Sequence, residues 1–164
     1  MIVMSPKSLL RHPKAVSSIE ELSRGTFMEV IPDLQLKEAK KVKSLILCSG
    51  KVYYDLLEAR EKSGHDKTAI VRVEQLYPTP QKQILTAIKQ YPLLENLIWT
   101  QEEPKNMGSY QHIYFKLTEL LMQENMPQLR LHYVGRPERS SPATGSVYRH
   151  KTEQSELVKK AFEI

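Results

Sequence analysis

The chain has 164 residues, 40% apolar and 26% charged, ordinary proportions for one globular domain that buries a core. Its formal charge of +5 is modest and spread along the chain, which disfavours a nucleic-acid-binding protein. One cysteine excludes an internal disulfide, no apolar run approaches the roughly 20 residues of a membrane span, and Pro6-Lys7 interrupts any signal-peptide pattern.

In chain order, Met1-Ile-Val-Met4 reads as the tail of a strand and Leu9 to Pro13 as a connector. Ser17-Ser18-Ile19-Glu20-Glu21-Leu22 carries a capping box, a Ser followed three residues later by Glu, and predicts a short helix stopped by Gly25. Thr26 to Ile31 alternates and predicts a strand ended by Pro32. Lys37, Lys40, Lys41 and Lys43 then mark a solvated surface connection.

Ser44-Leu-Ile-Leu-Cys48 is almost wholly apolar, the pattern of a parallel strand covered on both faces. Cys48 belongs to that run and reads as a small core residue. Ser49-Gly50 is a sharp turn into a helix beginning at Lys51, with Ser49 placed to cap it and Ser63-Gly64 closing it. Thr68 to Val73 is the next strand. Thr79-Pro80 should start a helix that turns Ile84, Leu85 and Ile88 inward. Asn96 to Thr100 is a strand, Gln101 to Gly108 its loop, and residues 109 to 124 a long helix. Leu129 to Val134 is the last strand, broken by Gly135-Arg136-Pro137, and the final helix opens at His150.

Strands alternating with helices predict an α/β fold in three layers, α/β/α. Its sheet should have five strands, mostly parallel, with one antiparallel edge strand at 26–31. Such a sheet gathers its strand-end loops on one rim. That rim is expected to carry Ser49, Gly50, Lys51, Glu74, Gln75, Gln101, Glu102, Glu103, Gly135 and Arg136. No glycine-rich phosphate loop is present, the five histidines are scattered, and no metal-ligand spacing occurs. Glu102-Glu103 has the makings of a general acid and base, against the plainer reading that both pair with Lys51, Lys105 or Arg136. His132 reads as a structural histidine, and Trp99, Tyr53 and Tyr54 as packing residues. In the isolated chain the rim charges are expected to stand in water, so that Lys51, Glu102 or Arg136 could each be truncated with little effect on melting.

Four stretches are distinctive together: Ser5-Pro-Lys-Ser-Leu-Leu-Arg-His-Pro13, Cys48-Ser-Gly-Lys-Val-Tyr-Tyr-Asp-Leu56, Ile70-Val-Arg-Val-Glu-Gln-Leu-Tyr-Pro78 and Gln101-Glu-Glu-Pro-Lys-Asn-Met-Gly108. With Gly135-Arg136-Pro137 and Ser141-Pro-Ala-Thr-Gly145, they strongly resemble the C-terminal part of the 2-oxoglutarate dehydrogenase decarboxylating component. The resemblance implies a transketolase C-terminal-type domain over residues 14–164. Residues 1–13 would then be the end of a preceding pyrimidine-binding domain and its linker. It also implies a parent enzyme that uses thiamine diphosphate and Mg²⁺, both held by domains absent here, so this chain alone should bind neither and be inactive. Implied partners are the preceding domains, the other subunit of a homodimer, and, through the complex, a lipoyl succinyltransferase and dihydrolipoyl dehydrogenase. The implied location is the bacterial cytoplasm, or the mitochondrial matrix of a eukaryote. In some relatives this region binds a nucleotide or acyl-CoA effector. Gln75 matches a contact position there, while the neighbouring basic pair is here Lys82-Gln83, so only half of it is kept. The effector or interface residues expected on this basis are Ser49, Lys51, Gln75, Lys82, Gln101, Glu102 and Arg136. A stand-alone nucleotide- or acyl-CoA-binding module is the alternative.

Overall fold

The computed structural model describes every residue except Met1, Val3, Met4 and Lys37, so the strand expected at 1–4 and one lysine of the solvated face lie outside the described residues. In chain order the elements are α1 (Ile19–Arg24), β1 (Val30–Ile31), β2 (Ser44–Cys48), α2 (Val52–Ser63), β3 (Thr68–Val73), α3 (Gln81–Lys89), β4 (Asn96–Pro104), α4 (Tyr110–Gln123), β5 (Leu131–Arg136) and α5 (Val147–Ala161). The sheet has five strands in the order β1-β3-β2-β4-β5. β3, β2, β4 and β5 run parallel, and β1 lies antiparallel on the edge of β3. The expected α/β class, with a mostly parallel sheet and one antiparallel edge strand, is the observed one.

Alternation along the central strands decides which helix covers which face. Leu45, Leu47, Val71, Leu97 and Trp99 meet α3 and α4 through Ile84, Ile88, Ile113 and Leu117. Ile46, Cys48, Ile70, Ile98 and Val134 face the other way, onto Val52 and Leu56 of α2 and Leu157 and Ala161 of α5. Each such fully buried aliphatic side chain contributes about 1.5–3 kcal/mol over an exposed one. The unbroken apolar run of β2 exists because both of its faces are covered.

Several boundaries differ from the sequence reading. The first strand is only two residues long, since Phe27 and Met28 point into solvent. Its short pairing, Val30 with Val73 and Ile31 with Arg72, is extended by a side chain. Asp33 Oδ2 accepts from the Ile70 amide at 2.8 Å, and its two oxygens grip the Arg60 guanidinium of α2. Asp33 thus ties the lead-in to both sheet and helix from a buried position, and nothing in the spacing announced it. β4 and β5 both run past their expected ends, through Pro104 and Arg136, because rim side chains hold the backbone extended there. α5 starts three residues before His150, where Ser146 Oγ accepts from the Arg149 amide. Ser49 does not cap α2, whose N-terminal flank is Lys51 with no side-chain cap. Thr79 does not cap α3 either; its hydroxyl donates to the Leu76 carbonyl and meets His112 Nε2 at 2.8 Å. His132 is exposed on the edge strand rather than built into the core.

Candidate functional site at the carboxyl ends of the strands

Strand order creates the site. β2 is flanked by β3 on one side and β4 on the other, so the chain leaves β2 in one direction and reaches β4 from the opposite one. Helix α2, after β2, covers one face of the sheet, and α4, after β4, covers the other. The loops after β2 and β4 therefore part, and open α/β sheets place their ligand crevices at such a reversal. A cleft of about 550 Å³ lies there, with walls that include Ser49, Gly50, Lys51, Gln101, Glu102 and Gly108.

The β2 wall depends on Gly50, whose φ of +69° lets the chain turn out of the strand and into α2 at once. Its amide meets Glu74 Oε1 at 3.4 Å, and the same oxygen accepts from Arg72 Nε at 2.9 Å. Lys51, next along, reaches across the cleft to Glu102 at 2.7 Å and sits 3.5 Å from Asp55. Partial burial works against the lysine's charge, but the hydrogen bond and charge of Glu102, with Asp55 behind it, prevail and raise its pKa. The lysine is thus a cation fixed at the start of α2.

The β4 wall is organised by Gln101, only 4% exposed. Its Oε1 accepts from Trp99 Nε1 and from the Tyr110 amide, both at 3.0 Å, which caps α4 from the strand. Its Nε2 donates to the carbonyls of Glu103, Pro104 and Met107, the last at 2.7 Å, and so pulls the 104–108 loop into a tight curl. Gly108 closes that curl with φ +67°, where an added Cβ would come within 3.0 Å of both Gln101 Nε2 and Glu103 Cβ.

Behind the Glu102 backbone stands Arg136, at 6% exposure one of the best-buried charges of the described residues. It donates to the Glu102 carbonyl, to Glu153 Oε2 at 3.0 Å and to Gln154 Oε1 at 3.0 Å, and it meets His150 Nδ1 at 3.2 Å. Glu153 is the hub of that corner. Besides Arg136 it accepts from Arg139 through both oxygens, from Arg149 Nε at 2.8 Å and from Thr144 Oγ1 at 2.8 Å. These donors, Arg139 foremost, hold the Glu153 carboxyl far below the usual carboxylate range. Arg139 is also laced to the neighbouring loop through Asn106, with bonds of 2.9 and 3.1 Å.

Of the seven residues expected at the site, Ser49, Lys51, Gln101 and Glu102 line one cleft. Arg136 joins them from behind, through the Glu102 carbonyl. Gln75 and Lys82 are not among the cleft walls: Gln75 Nε2 is engaged with the Pro78 carbonyl at 2.7 Å, and Lys82 is exposed on α3. The expectation that these groups stand in water fails for Gln101 and Arg136. Both are buried because β4 and β5 run on past Thr100 and Val134, which carries their side chains under the rim loops. The pairing of Glu102 with Lys51 is observed, whereas Glu103 is exposed. Sequence reasoning missed Glu153, although its place four residues after Arg149 on a helix was a usable signal. Among the described residues, no group of three or more His, Cys, Asp or Glu could hold a metal ion. No helix of the described residues is long and apolar enough to cross a membrane.

This sheet, with its cleft between the second and fourth strands, defines a transketolase-type α/β domain. A solved structure entitled "Split gene transketolase, inactive beta4 tetramer" superposes with a TM-score of 0.50 at 17% identity, over 76% of this chain and 40% of that one. Sequence narrows the class. The profile of the family described as 2-oxoglutarate dehydrogenase C-terminal matches residues 16–162, and the chain belongs to that family. It is 41% identical to the 2-oxoglutarate dehydrogenase E1 component of Cupriavidus necator over 162 residues, which is 99% of this chain and 17% of the relative. The E1 component of Haemophilus influenzae is 42% identical over 162 residues, again 99% and 17%. An oxoglutarate dehydrogenase of Buchnera aphidicola is 43% identical over 164 residues, 100% and 18%. The chain thus spans about a sixth of the length of these relatives.

Proposed function

We propose that this chain is the C-terminal assembly and regulatory domain of a 2-oxoglutarate dehydrogenase E1 polypeptide, occupying residues 14–164, with residues 1–13 as the end of a pyrimidine-binding domain and its linker. The observation that carries the reading is the match itself, which runs over nearly all of this chain yet takes in only 17% of the relative. The geometry supports it. The rim residues spend their hydrogen bonds on one another, Lys51 on Glu102, Gln101 on the 104–108 loop and Arg136 on Glu153, as groups that shape a surface do.

In this reading the whole enzyme oxidatively decarboxylates 2-oxoglutarate and passes the succinyl group to a lipoyl carrier in the tricarboxylic acid cycle. Thiamine diphosphate and Mg²⁺ sit in the preceding domains, which with the second subunit are the direct partners of this one. The lipoyl succinyltransferase and dihydrolipoyl dehydrogenase are partners through the complex, and the place of work is the bacterial cytoplasm. The test is a fusion in which this chain replaces the matching region of the Cupriavidus necator E1 component. Thiamine-dependent decarboxylation of 2-oxoglutarate is expected in the fusion and absent from the chain alone. An inactive fusion, beside an active parent, counts against the reading.

A second reading, a nucleotide- or acyl-CoA-binding module, is favoured by the 550 Å³ cleft at the start of α2, with Lys51 at its wall. It predicts a rise in melting temperature with AMP or acetyl-CoA, since a ligand at 100 times its dissociation constant adds about 2.7 kcal/mol. Unchanged melting at millimolar ligand counts against it.

A further inference from the structure

Helix α1 is well formed, yet among the described residues nothing buries any part of it. Its six residues include none that is buried, yet its capping box is complete: the Glu21 amide donates to Ser18 Oγ at 3.1 Å and the Ser18 amide to Glu21 Oε2 at 2.7 Å. Helices this short are not stable in water by propensity alone. Around it Val16, Ile19, Leu22 and Phe27 are 75%, 85%, 77% and 67% exposed. Among the described residues, eight of the sixteen large apolar side chains that stand exposed fall within the first 34 positions, so this exposure is concentrated rather than scattered. Both ends of the excursion are anchored. Before it, Lys14 pairs with Glu61 and the His12 ring lies 4.8 Å from that of Tyr54, both partners on α2; after it, Val30 and Ile31 pair with β3. Apolar side chains held out on a stretch fixed at both ends mark a surface that another protein covers.

We infer that residues 16–28 are a docking arm, and that what covers Val16, Ile19, Leu22 and Phe27 is an apolar surface of the polypeptide that precedes this domain in an E1 chain. The inference rests on the function proposed above. It names this occupant because most of the length of each relative lies outside the matched region, and the family's match is to the C-terminal part and begins at residue 16, beside the arm.

The test measures amide hydrogen exchange over residues 19–25 in the chain alone and in the Cupriavidus necator fusion. Exchange at least tenfold slower in the fusion is expected. The double substitution Ile19→Asp and Leu22→Asp should leave the melting of the isolated chain within about a degree, since both side chains already stand in water. In the fusion it should abolish the protection, and the milder Ile19→Ser with Leu22→Ser should weaken it. Equal exchange in both contexts overturns the inference. So does protection that appears in the isolated chain with rising concentration and dimer formation, which assigns the arm to a second copy. An active fusion with an unprotected arm sinks the arm and leaves the functional reading standing, while a protected arm in an inactive fusion does the reverse.

Discussion

Replacing Asp33 with Ala should be among the most damaging single changes in the lead-in. The carboxylate is 3% exposed and the guanidinium of Arg60 that it holds is 9% exposed. Four hydrogen bonds end on Asp33: two from Arg60, one of them at 3.0 Å, one from the Ile70 amide at 2.8 Å and one from the Gln35 amide at 3.2 Å. Truncation leaves Arg60 with only the Thr68 carbonyl, at 3.3 Å, and leaves a sheet-edge amide without an acceptor. Breaking a buried ion pair from one side costs about 3–5 kcal/mol, most of it the penalty of the stranded charge. Domains of this kind are stable by about 5–15 kcal/mol, so the loss takes about a fifth or more of the total and lowers the melting temperature by roughly 2–4 °C per kcal/mol. The charge argument separates this from mere loss of packing. In Asp33→Ala/Arg60→Leu no charge is stranded, and an apolar pair of similar volume is often neutral. The double variant should therefore recover most of the stability lost by Asp33→Ala. Urea unfolding of the wild type, both single variants and the double variant closes the cycle. An Asp33→Ala protein within about 1 kcal/mol of wild type, or a double variant no better than the single, refutes the reasoning.

Lys51→Ala and Arg136→Ala should differ sharply in the isolated chain. The first removes a partly exposed ion pair worth about 0–1 kcal/mol, and the second empties a buried position and strands part of the Glu153 corner, at about 3–5 kcal/mol; equal melting temperatures would contradict the burial assigned to Arg136. For Glu153 the folded carboxyl titrates below its ordinary value near 4.3, so its stabilisation is complete above that value and is lost as pH falls toward the folded pKa. The stability gap between wild type and Glu153→Gln should accordingly be widest near neutral pH and shrink below about pH 4, and a gap that stays constant on acidification speaks against the hub. Burial pushes the Cys48 thiol far up, so it should resist a thiol-specific disulfide reagent at pH 8 until denaturant is added; rapid labelling of the native chain would place Cys48 outside the core.

What the sequence by itself determined is whatever depends on local pattern. The apolar run of β2, the Gly50 turn, the helix of Leu56 and Leu57 closed by Gly64, and the Ser18 capping box were all legible, because neighbours in the chain make those interactions. The class of sheet followed from the alternation of strands with helices, and the family from motifs spread over the whole chain. Tertiary structure alone decided the strand order that opens a cleft between β2 and β4, since a sequence does not say which strand becomes the neighbour of which. It also decided where β4 and β5 stop. Gln101 looked like a loop residue until the Trp99 indole, the Tyr110 amide and three carbonyls met around it, and Arg136 looked solvated until Glu153, 17 residues on, came beneath the rim. The anchoring role of Asp33 was silent for the same reason: Arg60 and Ile70, the partners that tie it to helix and sheet, stand 27 and 37 residues away, and a hydrogen bond between distant residues leaves no period in the chain to read.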